Sequence, residues 1–162
     1  RVVLGYTLEG KVRTRLGERD ARQEDPGLVI PSPHLDVAIA SDGTIWITNP
    51  GRHRLQAYTP AGQACQYWGR PAGEIQGFCG CCNPTDFALL PDGRFVTSEK
   101  GIPRVKVYSS QGDFECVVAG AESFAEDVVG LDLAADGEGR IYVLDPAARA
   151  VRIFERLEGK AP

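Results

Sequence analysis

The feature that most constrains the fold is a sequence unit that occurs three times, over residues 35–58, 85–108 and 131–154. Each copy opens with a short apolar stretch and then carries Asp-Gly, at Asp42-Gly43, Asp92-Gly93 and Asp136-Gly137. A β-branched and aromatic stretch follows: Ile45-Trp46-Ile47, Phe95-Val96-Thr97 or Ile141-Tyr142-Val143. An alternating stretch places Leu55 and Ala57, Val105 and Val107, or Val151 and Ile153 on one face, the period of a strand. Asp-Gly is a hairpin signal because the glycine tolerates positive φ. The closing aromatics Tyr58, Tyr108 and Phe154 are about 50 and 46 residues apart, a spacing typical of propeller blades.

The chain therefore reads as all-β, built from β-propeller blades of four antiparallel strands. Residues 34–69 and 84–119 form complete blades, 130–156 form an incomplete one, and 1–17 supply the outer strands of a preceding blade. Cys65 to Trp68 and Glu115 to Val118 are the outermost strands, with Cys65 and Cys116 expected to serve as packing residues. About three and a half blades, half of a six-bladed ring, make a single segment over 1–162. One blade cannot bury both of its faces, whereas stacked blades can. A partner, either further chain or a second copy, is thus expected to complete the ring, and an isolated monomer is not expected to be stable.

A formal charge of −4, with Lys and Arg interleaved among acids, gives none of the basic faces that nucleic-acid binders carry. No apolar run approaches the ~20 residues of a membrane span. The first residues do not read as a signal peptide. The absence of Met and the start inside a strand-like pattern suggest a processed chain or a piece of a longer one. Five cysteines are an odd number and too few for a disulfide scaffold at this size, so the compartment stays open.

The segment from Thr48 to Tyr58, after an Asp-Gly turn and an apolar strand, resembles the signature of the NHL repeat of six-bladed propellers. The pattern Gly77-Phe78-Cys79-Gly80-Cys81-Cys82-Asn83-Pro84, followed by Glu99 to Val107, is similar to the C-terminal half of NHL-type proteins of a bacterial group. The resemblance implies the propeller fold and leaves activity open, since propellers host binding, hydrolysis, redox chemistry and scaffolding.

Propeller topology would gather the segments 25–34, 49–53, 77–85, 99–103 and 145–149 on one loop-rich face, where function concentrates. Asn49, Arg52, His53, Glu99, Lys100 and Arg149 are the candidate ligand-contacting residues there. They could hold an anionic ligand or form a surface ion-pair cluster. Asp36, Asp86 and Asp132 share one repeat position, at the entry of each innermost strand. They could cap the neighbouring turns through backbone N–H groups. Alternatively, they could ring the channel mouth and bind a divalent cation such as Ca²⁺, as lactonase-type propellers do. Cys79, Cys81 and Cys82 could pack the loop onto its blade, pair as a disulfide, react as thiols, or bind Zn²⁺, for which their spacing is tight. Quinone-dependent propeller dehydrogenases carry a disulfide between adjacent cysteines near the cofactor. Trp46 and Trp68 read as packing between blades. No Gly-x-Ser-x-Gly, His-Glu-x-x-His or phosphate-loop pattern is present.

The function expected from these residues is a protein or small-molecule binding module working through the face that carries Cys79 to Cys82. The alternatives are a metal-dependent, lactonase-like hydrolase and a thiol-linked redox propeller.

Overall fold

The computed structural model of the protein describes residues 1–19, 27–126 and 128–157. The chain is all-β, with four antiparallel sheets of propeller-like blades, and it divides into two compact units, Arg1–Pro84 and Thr85–Pro162.

In the first unit, β1 (Val3–Tyr6) pairs with β2 (Val12–Leu16). A second sheet runs in chain order through β3 (Val37–Ile39), β4 (Ile45–Asn49), β5 (Arg54–Tyr58) and β6 (Ala64–Trp68). Period-two alternation sends Ile45 and Ile47, with the cross-strand partner Tyr58, toward Leu16 and Leu28. Burying each such side chain contributes about 1.5–3 kcal/mol. Trp46, Leu55 and Ala57 are buried on the other face.

In the second unit, β7 (Asp86–Leu89), β8 (Phe95–Glu99), β9 (Arg104–Tyr108) and β10 (Phe114–Ala119) form a four-stranded blade. A three-stranded sheet follows, of β11 (Asp132–Ala135), β12 (Ile141–Asp145) and β13 (Ala150–Phe154). The two sheets share a core in which Ala88, Val96, Val105 and Val107 meet Leu133, Ile141 and Val143. In the β7–β10 blade, β8 and β9 are buried along their whole length. The far face of β11–β13 is open: Leu144 is 44 %, Val151 58 % and Ile153 58 % exposed. In the first unit Ile39 on β3 is 70 % exposed.

The hairpins agree with the Asp-Gly signal twice and correct it once. Gly43 and Gly93 take positive φ, and Asp42 and Asp92 accept hydrogen bonds from the amides of Thr44 and Arg94. In the last blade the left-handed residue is Gly139 rather than Gly137, because the three-residue loop sits two positions later. Asp136 there holds the turn from its first position, accepting from the amides of Glu138 and Arg140. Cys65 and Cys116 are exposed free thiols and not packing residues, because both flanks of the outermost strands are largely open. Trp46 and Trp68 are each 6 % exposed, as a packing role requires. Among the described residues no helix is long and apolar enough to cross a membrane.

Candidate binding surface of the first unit

A site is assembled where three segments of the first unit meet: residues 27–30, the β4–β5 connection, and the chain leaving β6. Asn49 ends β4 and is fully buried. Its Oδ1 accepts from the Val29 amide at 2.9 Å, and its Nδ2 donates to Gly27 O at 3.3 Å and to Gln56 Oε1 at 3.1 Å. One side chain therefore fastens residues 27–29 to the blade. This corrects the expectation that Asn49 contacts a ligand, since a buried amide with several partners is structural. Of the segment 25–34, Asp25 and Pro26 lie outside the described residues.

A single 3-10 turn, Pro50–Arg52, follows Asn49, with proline supplying its fixed φ at the start. His53 closes it in the left-handed region at φ 55°, with its amide donating to Pro50 O. This conformation turns the ring toward the cysteine loop, and His53 Nε2 lies 2.7 Å from Gly80 O. A carbonyl only accepts, so Nε2 carries the hydrogen. The structure thus brings His53 against the Cys79–Cys82 loop.

The chain leaves β6 through Gly69, at φ 107°, where a Cβ would lie 2.7 Å from His53 O and 2.8 Å from Phe78. Only glycine allows this approach. Arg70 and Ala72 then pair with Phe78, whose amide donates to Arg70 O at 3.0 Å while its carbonyl accepts from the Ala72 amide. Phe78 is buried against Trp68 with ring centroids 6.2 Å apart. This anchors the loop, and Asn83 Nδ2 closes it by donating to Cys79 O at 2.6 Å. Cys82 is 3 % exposed and left-handed, Cys81 is exposed, and their sulfur atoms are 2.7 Å apart. All five cysteines are free thiols.

An open pocket of about 430 Å³ lies between these segments, lined by Arg52, His53, Arg54, Tyr67, Arg70 and neighbouring backbone. The Arg54 guanidinium stacks 4.4 Å above the Tyr67 ring and donates to Gln56 Oε1 at 2.8 Å. Arg70 has only a 4.0 Å contact with Glu74, both side chains being more than half exposed. Tyr67, Arg54 and Arg70 were not among the residues singled out from sequence. Their meeting depends on the β5–β6 register and the Gly69 turn rather than on local pattern.

The remaining candidates belong to the second unit. Glu99 is 2 % exposed, which corrects its assignment to a ligand-contacting face. It sits between Arg104 Nη2 at 2.8 Å and Lys106 Nζ at 2.7 Å, with Lys106 fully buried. Burial, and after it the Glu99 charge, push the neighbouring Tyr108 hydroxyl well above its ordinary pKa. Lys100 is partly exposed beside this cluster, and Arg149 is an exposed left-handed residue in the β12–β13 turn. That turn is held by the fully buried Asp145, which accepts from the Ala148 amide and from Arg152.

The three repeat-position aspartates do not act alike. Asp36 Oδ1 accepts from the following amide, that of Val37, at 2.7 Å. Asp86 Oδ1 accepts from the amide of Leu133 at 3.0 Å, fastening β7 to the innermost strand of the next blade. Asp132 is exposed on β11. Among the described residues no three His, Cys, Asp or Glu side chains are grouped as a metal ion requires.

No protein-family model matches the chain, and no curated protein matches it.

Proposed function

We propose that the chain is a segment of an NHL-type propeller that acts as a binding module, with the β4–β5 connection and the Cys79–Cys82 loop as its contact surface. The observation that carries this reading is the 2.7 Å contact between His53 and Gly80. It joins two connections from the same side of one blade, next to a cationic pocket. Connections of this kind, held by a rigid blade, are where binding residues concentrate. The open faces of β11–β13 and β3 fit packing by further blades, from the rest of a ring or from a second copy.

A second reading rests on the 2.7 Å separation of the Cys81 and Cys82 sulfurs. One exposed and one buried thiol in contact suit a thiol-linked role, since the exposed sulfur meets the oxidant and the buried one resolves it.

The test is selection of peptide ligands against the immobilised chain, with the contact mapped by hydrogen exchange. Protection is expected around Arg52, His53, Gly80 and Cys81. Protection confined to the opposite turns, at Ser41–Gly43 and Pro60–Gly62, would overturn the reading.

A further inference from the structure

Adjacent residues of an extended chain point their side chains to opposite sides, so neighbouring cysteines do not ordinarily touch. Cys81 and Cys82 do, with sulfur atoms 2.7 Å apart. Cys82 stands at φ 68°, in the left-handed region, which breaks that alternation. The conformation is uncommon for any residue but glycine, and such outliers gather at functional sites. Three non-glycine residues take positive φ among the described residues, and two of them, Cys82 and His53, belong to this assembly. His53 donates to Gly80 O at 2.7 Å, and the Asn83 amide donates to Cys79 O at 2.6 Å. The residues that flank the pair are thereby tied down. Cys81 is exposed, whereas Cys82 is 3 % exposed.

Two thiols in contact make a soft, two-toothed donor set. Among the described residues no third His, Cys, Asp or Glu is grouped with them, so the pair lacks the four ligands of a structural zinc site. Calcium and magnesium take oxygen donors instead. Ions that prefer two sulfurs on opposite sides are poorly served by sulfurs that touch. Trivalent arsenic is pyramidal, with its lone pair on one side and its bonds on the other. It takes two neighbouring sulfurs and keeps a third bond to oxygen or carbon.

We infer that Cys81 and Cys82 form a chelating dithiol site for trivalent arsenic, as arsenite or a monosubstituted arsenical. The inference deepens the thiol-linked reading and rests on it for the pairing of the two sulfurs, but it involves no oxidation. With arsenite, two As–O bonds break and two As–S bonds form, and each departing hydroxide leaves as water with one thiol proton. Arsenic stays trivalent throughout. The exposed Cys81 makes the first bond, and Cys82, already beside it, closes the chelate. Making the second bond within one molecule raises affinity about 10²–10⁴-fold over that of a single thiol.

The experiment is titration of the full, reduced chain, without oxygen, with arsenite and separately with phenylarsine oxide. Intact mass spectrometry and a count of the remaining thiols read the result. One arsenic per chain is expected, with the loss of two thiols. An excess of the monothiol glutathione is expected to leave the complex intact, and a small dithiol to strip it. Cys81→Ser and Cys82→Ser are each expected to weaken binding about a hundredfold or more. Cys65→Ser and Cys116→Ser, at exposed positions of β6 and β10, are expected to leave it unchanged. Circular dichroism and the urea midpoint report whether each variant is folded, and Cys81→Ser, at an exposed position, keeps the test open if the Cys82 variant is not. Loss of one thiol per arsenic, displacement by glutathione, or undiminished binding in the Cys81 or Cys82 variant would overturn the site. The thiol-linked reading fails on a different result, the absence of an internal disulfide after modification of Cys81, so the two ideas fail separately.

Discussion

The β3–β6 and β7–β10 blades are the same hairpins in the same register, yet they set different side chains around the arginine that opens the third strand. In the second blade Glu99 lies between Arg104 and Lys106, and all three are at least nine-tenths buried. In the first blade Asn49, Gln56 and Arg54 occupy those places, and the only charge of the three is the arginine. An amide network does the same structural work between neutral groups. The difference teaches that repeat position determines geometry, whereas the residue placed there decides whether the network linking the second and third strands carries charge.

The comparison breaks most readily at Glu99. Glu99→Leu leaves two buried cations without their carboxylate, and removing one partner of a buried pair costs about 3–5 kcal/mol. The urea midpoint is expected to fall accordingly, and a loss below about 1 kcal/mol would show that the cluster is not the closed ion site described above.

Gly69 tests the pocket from the other side. Gly69→Ala must strain a residue at φ 107° and push its Cβ against His53 O and Phe78. The expected cost is about 1–3 kcal/mol, with release of the cysteine loop. Stability equal to that of the unaltered protein would show that the close approach is not needed.

Thiol chemistry sharpens the account of that loop. With a disulfide reagent, Cys65, Cys81 and Cys116 are expected to react quickly because they are exposed, and Cys82 slowly because it is buried. Modification of Cys81 is expected to accelerate loss of the Cys82 thiol, through attack by Cys82 on the mixed disulfide, with the reagent thiolate as leaving group. Mass spectrometry would then find a loss of two hydrogens confined to the peptide holding both residues. Independent reaction of the two would rule out the thiol-linked reading.

The smallest expected effect concerns pH. The amide of Ala148, and with it Arg152, holds the Asp145 carboxyl below its ordinary value. Its folded pKa is lower than its unfolded one, so its stabilisation is complete above about pH 4. That contribution is lost as pH falls through the lower, folded value. Hydrogen exchange in the β12–β13 hairpin is therefore expected to rise on acidification before that in β4–β5, whose equivalent position, Asn49, does not titrate. Equal acid sensitivity of the two hairpins would contradict this.

Much of the fold was legible because its signals are local. Alternation over Leu55, Ala57, Val105 and Val107 gives strands, and Asp-Gly at 42–43 and 92–93 gives hairpins. Gly137 misled because Asp136-Gly137 looks like the same turn, while the loop closes on Gly139 through hydrogen bonds that no dipeptide encodes. Asn49 and Glu99 read as exposed because polar residues at strand ends usually are. Their burial depends on Val29 and Gly27 in one case and on Arg104 and Lys106 in the other, partners brought in by register and tertiary packing. The meeting of His53 with the cysteine loop was readable from topology. The arginine pocket was not, since it needs Arg54, Tyr67 and Arg70 to converge across β5, β6 and the turn after β6.

The most direct test of the contrast between blades is the urea midpoint of Glu99→Gln beside that of Asn49→Ala. The first keeps the shape but removes the charge shared by Arg104 and Lys106 and is expected to cost about 3–5 kcal/mol, whereas the second removes neutral hydrogen bonds and is expected to cost about 1–3 kcal/mol. A smaller loss in the Glu99 variant than in the Asn49 variant would contradict the contrast.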